Sequence, residues 1–269
     1  MKNGYKIIDT HCHIYPDKIA EKASQSTSDF YHMKASRHSG RLDELLAASD
    51  EAGVDHIIVQ SVATAPSQVA SINRYIAGVV AESGGRLTGL GTLHPDSDDI
   101  EGDIALVHEL GLKGVKMHAD IQRIAINDRR CYKIYEILEG RLPILMHTGD
   151  KRYNFSNPDN LVPVMNDFPR LTVIGAHYAG WSVWEEAADK LSGYENLYVD
   201  TSSTLGFTGI DYVRKLLPRY SEDRILFGVD HPMWTPKDEV DSFFTLNLPD
   251  KLLRKIFSEN ASSLYGIKL

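Results

Sequence analysis

Eight short runs rich in Val, Ile and Leu, each followed by a stretch with helical spacing, constrain this chain more than any other feature. The runs fall at 6–9, 56–62, 87–93, 113–117, 143–146, 172–176, 197–200 and 225–229. Nearly continuous apolar strands of this kind belong to sheets covered on both faces. Between them, Leu42, Leu45, Leu46 and Ser49 form one helical stripe with Ser39 as its candidate cap. Val69, Ile72, Ile76, Val79 and Val80 form another, and further stripes follow Asp128 and Gly209. Eight such units in 269 residues predict an α/β chain folded as one (β/α)8 barrel domain over 1–269. A doubly wound open sheet is the competitor, but it calls for a glycine-rich phosphate turn after an early strand. Gly89-Leu90-Gly91 lies inside a run and lacks the third glycine.

Charge narrows the partners. A net charge of −8 with no basic block argues against nucleic-acid and anionic-membrane surfaces. No apolar run approaches the roughly 20 residues needed to span a bilayer. The N-terminus enters the first strand with no room for a signal peptide, and Cys12 and Cys131 are too few for a disulfide framework. These features predict a cytoplasmic protein acting on a small molecule, with a homodimer as the default assembly.

One connection stands apart. Residues 14–40 are polar and Ser-rich at Ser24-Gln25-Ser26-Thr27-Ser28, and read as a long loop acting as a lid.

The strand ends carry the chemistry. Alternation places His11 and His13 on one face of the first strand and turns Cys12 away, as a small buried hydrophobe. On the fourth run, Val115 and Met117 face the helices, sending Lys116 and His118 inward. The fifth, sixth and eighth runs end at His147, His177 and Asp230. All lie at the C-terminal edge, where barrel active sites are built. Glycines two residues before His177 and Asp230 keep the layer beneath them small. Three imidazoles and a carboxylate around an open position suit a catalytic divalent metal, zinc or manganese. His94 stays unassigned, and Asp200 reads equally as a partner of a ligand or as a helix cap.

The residues Asp9-Thr10-His11-Cys12-His13, Met146-His147-Thr148-Gly149, Gly175-Ala176-His177 and Phe227-Gly228-Val229-Asp230-His231-Pro232, in this order, resemble the amidohydrolase superfamily. The likeness is to the amidohydrolase-related branch that includes aminocarboxymuconate-semialdehyde decarboxylase-like enzymes, and it runs through nearly the whole chain. It implies His11, His13, His147 and Asp230 as metal ligands, with Asp230 also accepting a proton from water. It implies His177 as an acid/base group beside that water, or a ligand if two metals bind. Some superfamily members bridge two metals with a carboxylated lysine. Lys116 is inward-facing but two residues short of the strand end, so it and His118 are assigned to substrate.

The favoured expectation is a metal-dependent hydrolase acting on an amide, ester or lactone, with Asp230 as base and His177 stabilising developing charge. The alternative is non-oxidative decarboxylation of an unsaturated or aromatic acid. That reaction wants a cationic clamp, for which Arg37, Arg41, Arg123 and Arg152 are candidates. A non-catalytic metal- or ligand-binding barrel is a third reading.

Overall fold

Parallel pairing runs right round the sheet in chain order. The computed structural model describes residues 1–34 and 36–269. Its strands are β1 (Ile8–His13), β2 (His56–Gln60) and β3 (Leu87–Gly89), which continues beyond Leu90 as β4 (Gly91–Thr92). They are followed by β5 (Val115–Met117), β6 (Ile144–Met146), β7 (Val173–Gly175), β8 (Leu197–Asp200) and β9 (Ile225–Leu226). β1 to β3 form one parallel ladder and β4 to β9 another. Leu90 N–H donates to Val59 O at 2.9 Å, and Gly91 N–H to Gly114 O at 2.9 Å, which joins the two. The seam between the last and first strands is closed by Thr10 N–H to Phe227 O (2.9 Å) and Asp230 N–H to His11 O (2.8 Å). The result is the eight-stranded barrel that the sequence pattern predicts, with one strand in two pieces.

Two apolar layers follow from the period-2 alternation. Ile8, Ile58, Leu90, Leu145, Ile174 and Leu226 fill the barrel interior, plugged from below by Ala261 and Tyr265 of the helix Asn260–Tyr265. Val115, Met117, Val173 and Val199 face outward into the larger core shared with the helices. Cys12 also lies in that outer core, fully buried, as alternation requires. The register of β1 against β2 shifts between Asp9 and Cys12. This bulge puts both Ile8 and His11 on the barrel side.

Two of the first three helices, α1 (Ala20–Phe30) and α3 (Val69–Glu82), line the site, and α2 (Leu42–Ala52) lies between them in the chain. α1 corrects the reading of 14–40 as loop throughout. Its buried stripe is Ala20, Ser24 and Ser28, so it docks through small residues and carries no apolar stripe to betray it. α2 corrects the cap assigned to Ser39. The N-cap is Arg41, and Glu44 reaches back to accept both the N–H and O–H of Ser39 at 2.8 Å. No helix among the described residues is long and apolar enough to cross a membrane.

Candidate metal centre

The C-terminal edge of the barrel gathers all the sequence-selected side chains around one cavity of about 680 Å³. At its base, His11 Nε2 stands 3.2 Å from His13 Nε2 and 3.5 Å from Asp230 Oδ1, with His13 Nε2 3.7 Å from the same oxygen. The side chains of His13 and Asp230 are 12% and 14% exposed and face the cavity, whereas His11 is sealed beneath them. Gly228 makes room here: a Cβ at that position would stand 3.0 Å from the His11 Cβ.

Two of the three donors, His11 and Asp230, are held by a second group. Asp200 accepts from His11 Nδ1 at 2.8 Å, from the His177 backbone N–H at 2.9 Å and from Ser202 N–H at 3.1 Å. The Ser202 hydroxyl also donates to Asp200. Asp200 thus fills both alternatives: it orients a site histidine, and it caps the turn that follows β8 by accepting from Ser202 N–H. With its proton on Nδ1, His11 presents an Nε2 lone pair. Ser203 Oγ donates to Asp230 Oδ2 at 2.6 Å and accepts from Trp234 Nε1 at 2.7 Å, leaving Oδ1 for the cavity.

His177 reaches the site by an unexpected route. Strand alternation would send its neighbour Ala176 inward, and Ala176 does lie in the interior cluster. The backbone turns left-handed at His177 (φ 60°), and this swings the imidazole back over the barrel. Gly175 therefore does not line the layer below His177; its absent Cβ clears Ala179, which would lie at 2.5 Å. His177 Nδ1 donates to Ser202 Oγ at 2.8 Å, so its Nε2 is an acceptor, 3.1 Å from His147 Nδ1. Asp230 also adopts a left-handed conformation, at φ 71°.

His147 does not join the close trio, since no single atom of it lies within 4.8 Å of all three donors. Its ring stacks on His118 at 4.1 Å, and its Nε2 is 3.8 Å from Asp120. Asp120 is buried, and neither of its oxygens has a hydrogen-bond partner among the described residues. Lys116 is buried, with Nζ 3.3 Å from His11 Nε2. His118 has both nitrogens occupied: Nδ1 accepts from Ile121 N–H and Nε2 lies 2.7 Å from the Tyr31 hydroxyl.

Burial sets the charges. It lowers the pKa of His11, His13 and His147, and takes His177 down to about 3, so the imidazoles are neutral and their lone pairs free. The same burial raises Asp230 to about 6 and lowers Lys116 to about 8. Two imidazole nitrogens and a carboxylate oxygen converging without a proton to share fit a divalent cation by donor chemistry.

Tyr31, Ser202, Ser203 and Asp120 were not picked out from the sequence as site residues. Tyr31 had no signal, because it follows a helix read as loop. Arg152, a candidate clamp, is spent elsewhere: it pairs with buried Asp150 (2.7 Å), donates to Phe30 O at 2.6 Å and lies over the rings of Phe30 and Tyr31.

Comparison with known proteins agrees with this architecture. No curated protein matches the sequence. An uncharacterised TIM-barrel protein from Bordetella bronchiseptica superposes with a TM-score of 0.80 at 21% identity, covering 97% of this chain and 98% of that one. A dihydroxybenzoic acid decarboxylase from a Polaromonas species, solved with manganese and 2-nitroresorcinol, gives 0.74 at 16%, covering 97% of each. The probable 2-pyrone-4,6-dicarboxylic acid hydrolase of Acinetobacter baumannii gives 0.71 at 16%, covering 97% and 99%. These likenesses establish the fold. The amidohydrolase family profile matches residues 8–267, and the chain is thereby an enzyme of the amidohydrolase family.

Proposed function

We propose that the chain is a metal-dependent hydrolase directing water at the carbonyl carbon of a small-molecule ester, lactone or amide. The observation that carries this reading is the convergence of His11 Nε2, His13 Nε2 and Asp230 Oδ1 beside a neutral His177. His11, His13 and Asp230 would hold one divalent ion, with His147, at the end of β6 on the other side of the barrel mouth, as a fourth candidate outside the close trio. When bound, that ion supplies Lewis acidity toward the carbonyl oxygen and a water of lowered pKa.

The side chains then divide the work. Asp230 takes the water's proton and returns it to the leaving group as the old bond breaks. His177, fixed through Nδ1, would turn its Nε2 lone pair from His147 Nδ1, 3.1 Å away, to the water and hold it in line. As an acceptor it cannot itself stabilise an oxyanion, so that role passes to the Lys116 ammonium. His118 acts on substrate indirectly, by orienting the Tyr31 hydroxyl. Zinc and manganese both take such N/O donors.

A second reading, decarboxylation of an unsaturated or aromatic acid, is supported by a specific observation. A buried lysine faces the donor cluster in a cavity that no arginine lines among the described residues, so Lys116 alone would receive the carboxylate. The Polaromonas decarboxylase and the Acinetobacter hydrolase share the fold, which leaves both chemistries in play.

The test is to incubate metal-loaded protein with lactones, esters, amides and unsaturated acids while following acid production and carbon dioxide release. Acid without carbon dioxide supports hydrolysis, and carbon dioxide supports the second reading. Neither product, with one metal equivalent per chain, sinks both. In His177→Asn, metal content is expected to hold while turnover falls.

A further inference from the structure

The cavity extends well beyond the donor cluster. α1 lines one wall with Ile19, Lys22, Ala23, Ser26, Thr27 and Phe30, spaced three and four residues apart on one helix face. Tyr31, at the end of that face, touches His118 and stands 3.3 Å from His147, so this end of α1 sits on the chemistry. Ile19 is twelve residues earlier, about 18 Å away along the axis at 1.5 Å per residue. Ile72 and Tyr75 of α3 contribute a second wall.

Apolar surface dominates this groove where it leaves the donors, although Ser26, Thr27, Thr64, Gln68 and Ser71 also line it. Ile19 and Phe207, two of the few large hydrophobic side chains left exposed (50% and 44%), both line it. Apart from Lys116 at the donor cluster, Lys22 is the only cationic residue in the wall among the described residues, and its side chain is exposed to solvent. A cavity of about 680 Å³ lies in the range of roughly 300–1,000 Å³ that holds drug-sized ligands rather than a single small ring.

We propose that the substrate is amphiphilic: a carboxylic acid or its derivative as the reacting head, and an apolar tail longer than one ring lying between α1 and α3. The reading of the donor cluster as the place of the head underlies this assignment. The tail end stands on the wall residues alone, through burial of apolar surface worth about twofold to fourfold in affinity per methylene.

Titration calorimetry of the manganese-loaded protein with benzoate, 4-ethylbenzoate, 4-butylbenzoate and 4-hexylbenzoate tests it. These acids serve as a hydrolysis product or a decarboxylation substrate alike. Affinity is expected to rise along the series, at least about tenfold from benzoate to 4-butylbenzoate. Ala23→Trp, which fills the groove from α1, is expected to reduce that ratio below about threefold. Ile72→Gln repeats the test from α3 should the tryptophan variant fail to fold, and melting curves establish which variant is folded. A flat or falling series overturns the proposal, as does a series with no binding, or a tenfold ratio that survives in the folded variants. The metal reading fails separately, on metal content, whereas the groove fails on the chain-length ratio with metal in place.

Discussion

The strand-end cluster and α1 face each other across one cavity, and they are built on opposite principles. In the cluster, His11 is held by Asp200, His177 by Ser202, and Asp230 by Ser203, which Trp234 holds in turn. These three side chains arrive aimed, as preorganised chemistry needs. α1 instead docks through a stripe of Ala and Ser, with Ser24 bonded to His38 O and Ser28 to Ser36. It is pinned at one end, where Arg152 grips Phe30 O. The difference separates two tasks: the floor sets which bond can be broken, and the helix above it sets what is admitted.

Mutations on the two sides should therefore part cleanly. The largest effect is expected for Asp230→Asn, which strips the only carboxylate from the trio. Metal content should fall below about a tenth of an equivalent, and turnover by about 10²–10³-fold. Full metal retention by elemental analysis would remove Asp230 from the ligand set. Asp200→Ala touches no substrate but frees His11, and should weaken metal binding by about 10–100-fold in a competition titration with a chelator. Unchanged affinity would show that the floor is not held as described.

Buried Glu239, on the helix Pro236–Phe244, gives the barrel side a pH signature. Burial, reinforced by the charges of Asp9, Asp238 and Asp230, pushes its carboxyl up to about 8 from 4.5. Between those values the folded state keeps a proton that the unfolded state releases. Its contribution to stability is thus complete below pH 4.5 and is lost as the pH rises through 8. Relative to Glu239→Gln, the parent protein should lose on the order of 5 kcal/mol across that window in urea unfolding. Parallel profiles would contradict it.

The smallest effect is expected where the two regions touch. Tyr31→Phe deletes the hydroxyl that meets His118 and His147, and should lower kcat/KM by about fivefold, near 1 kcal/mol, with metal content unchanged. Loss of metal in this variant would mean that α1 belongs to the floor after all.

Much of the floor was legible because strand alternation is a strict rule. His11, His13, Lys116 and Asp230 lie on the predicted face, and Val115 and Met117 point out as expected. His177 was found at the right strand end for an incomplete reason, since a left-handed residue rather than alternation aims it. α1 escaped notice because its docking face is Ala20, Ser24 and Ser28, and a helix that buries small polar residues leaves no hydrophobic period. Tyr31 went with it. Asp120 was hidden for another reason: its position beside His147 is a tertiary contact between the segments that follow β5 and β6, which no local pattern announces.

The seam of the barrel has a consequence in time. His11 and His13 come from the first strand and Asp230 from just beyond the last, and the backbone bonds Asp230 N–H to His11 O and His13 N–H to His231 O bring them together. A chain still emerging from the ribosome presents His11 and His13 more than 200 residues before Asp230. Metal capture by this trio would therefore wait for the last strand of the barrel, and a retained ion would certify that the first and last strands had met.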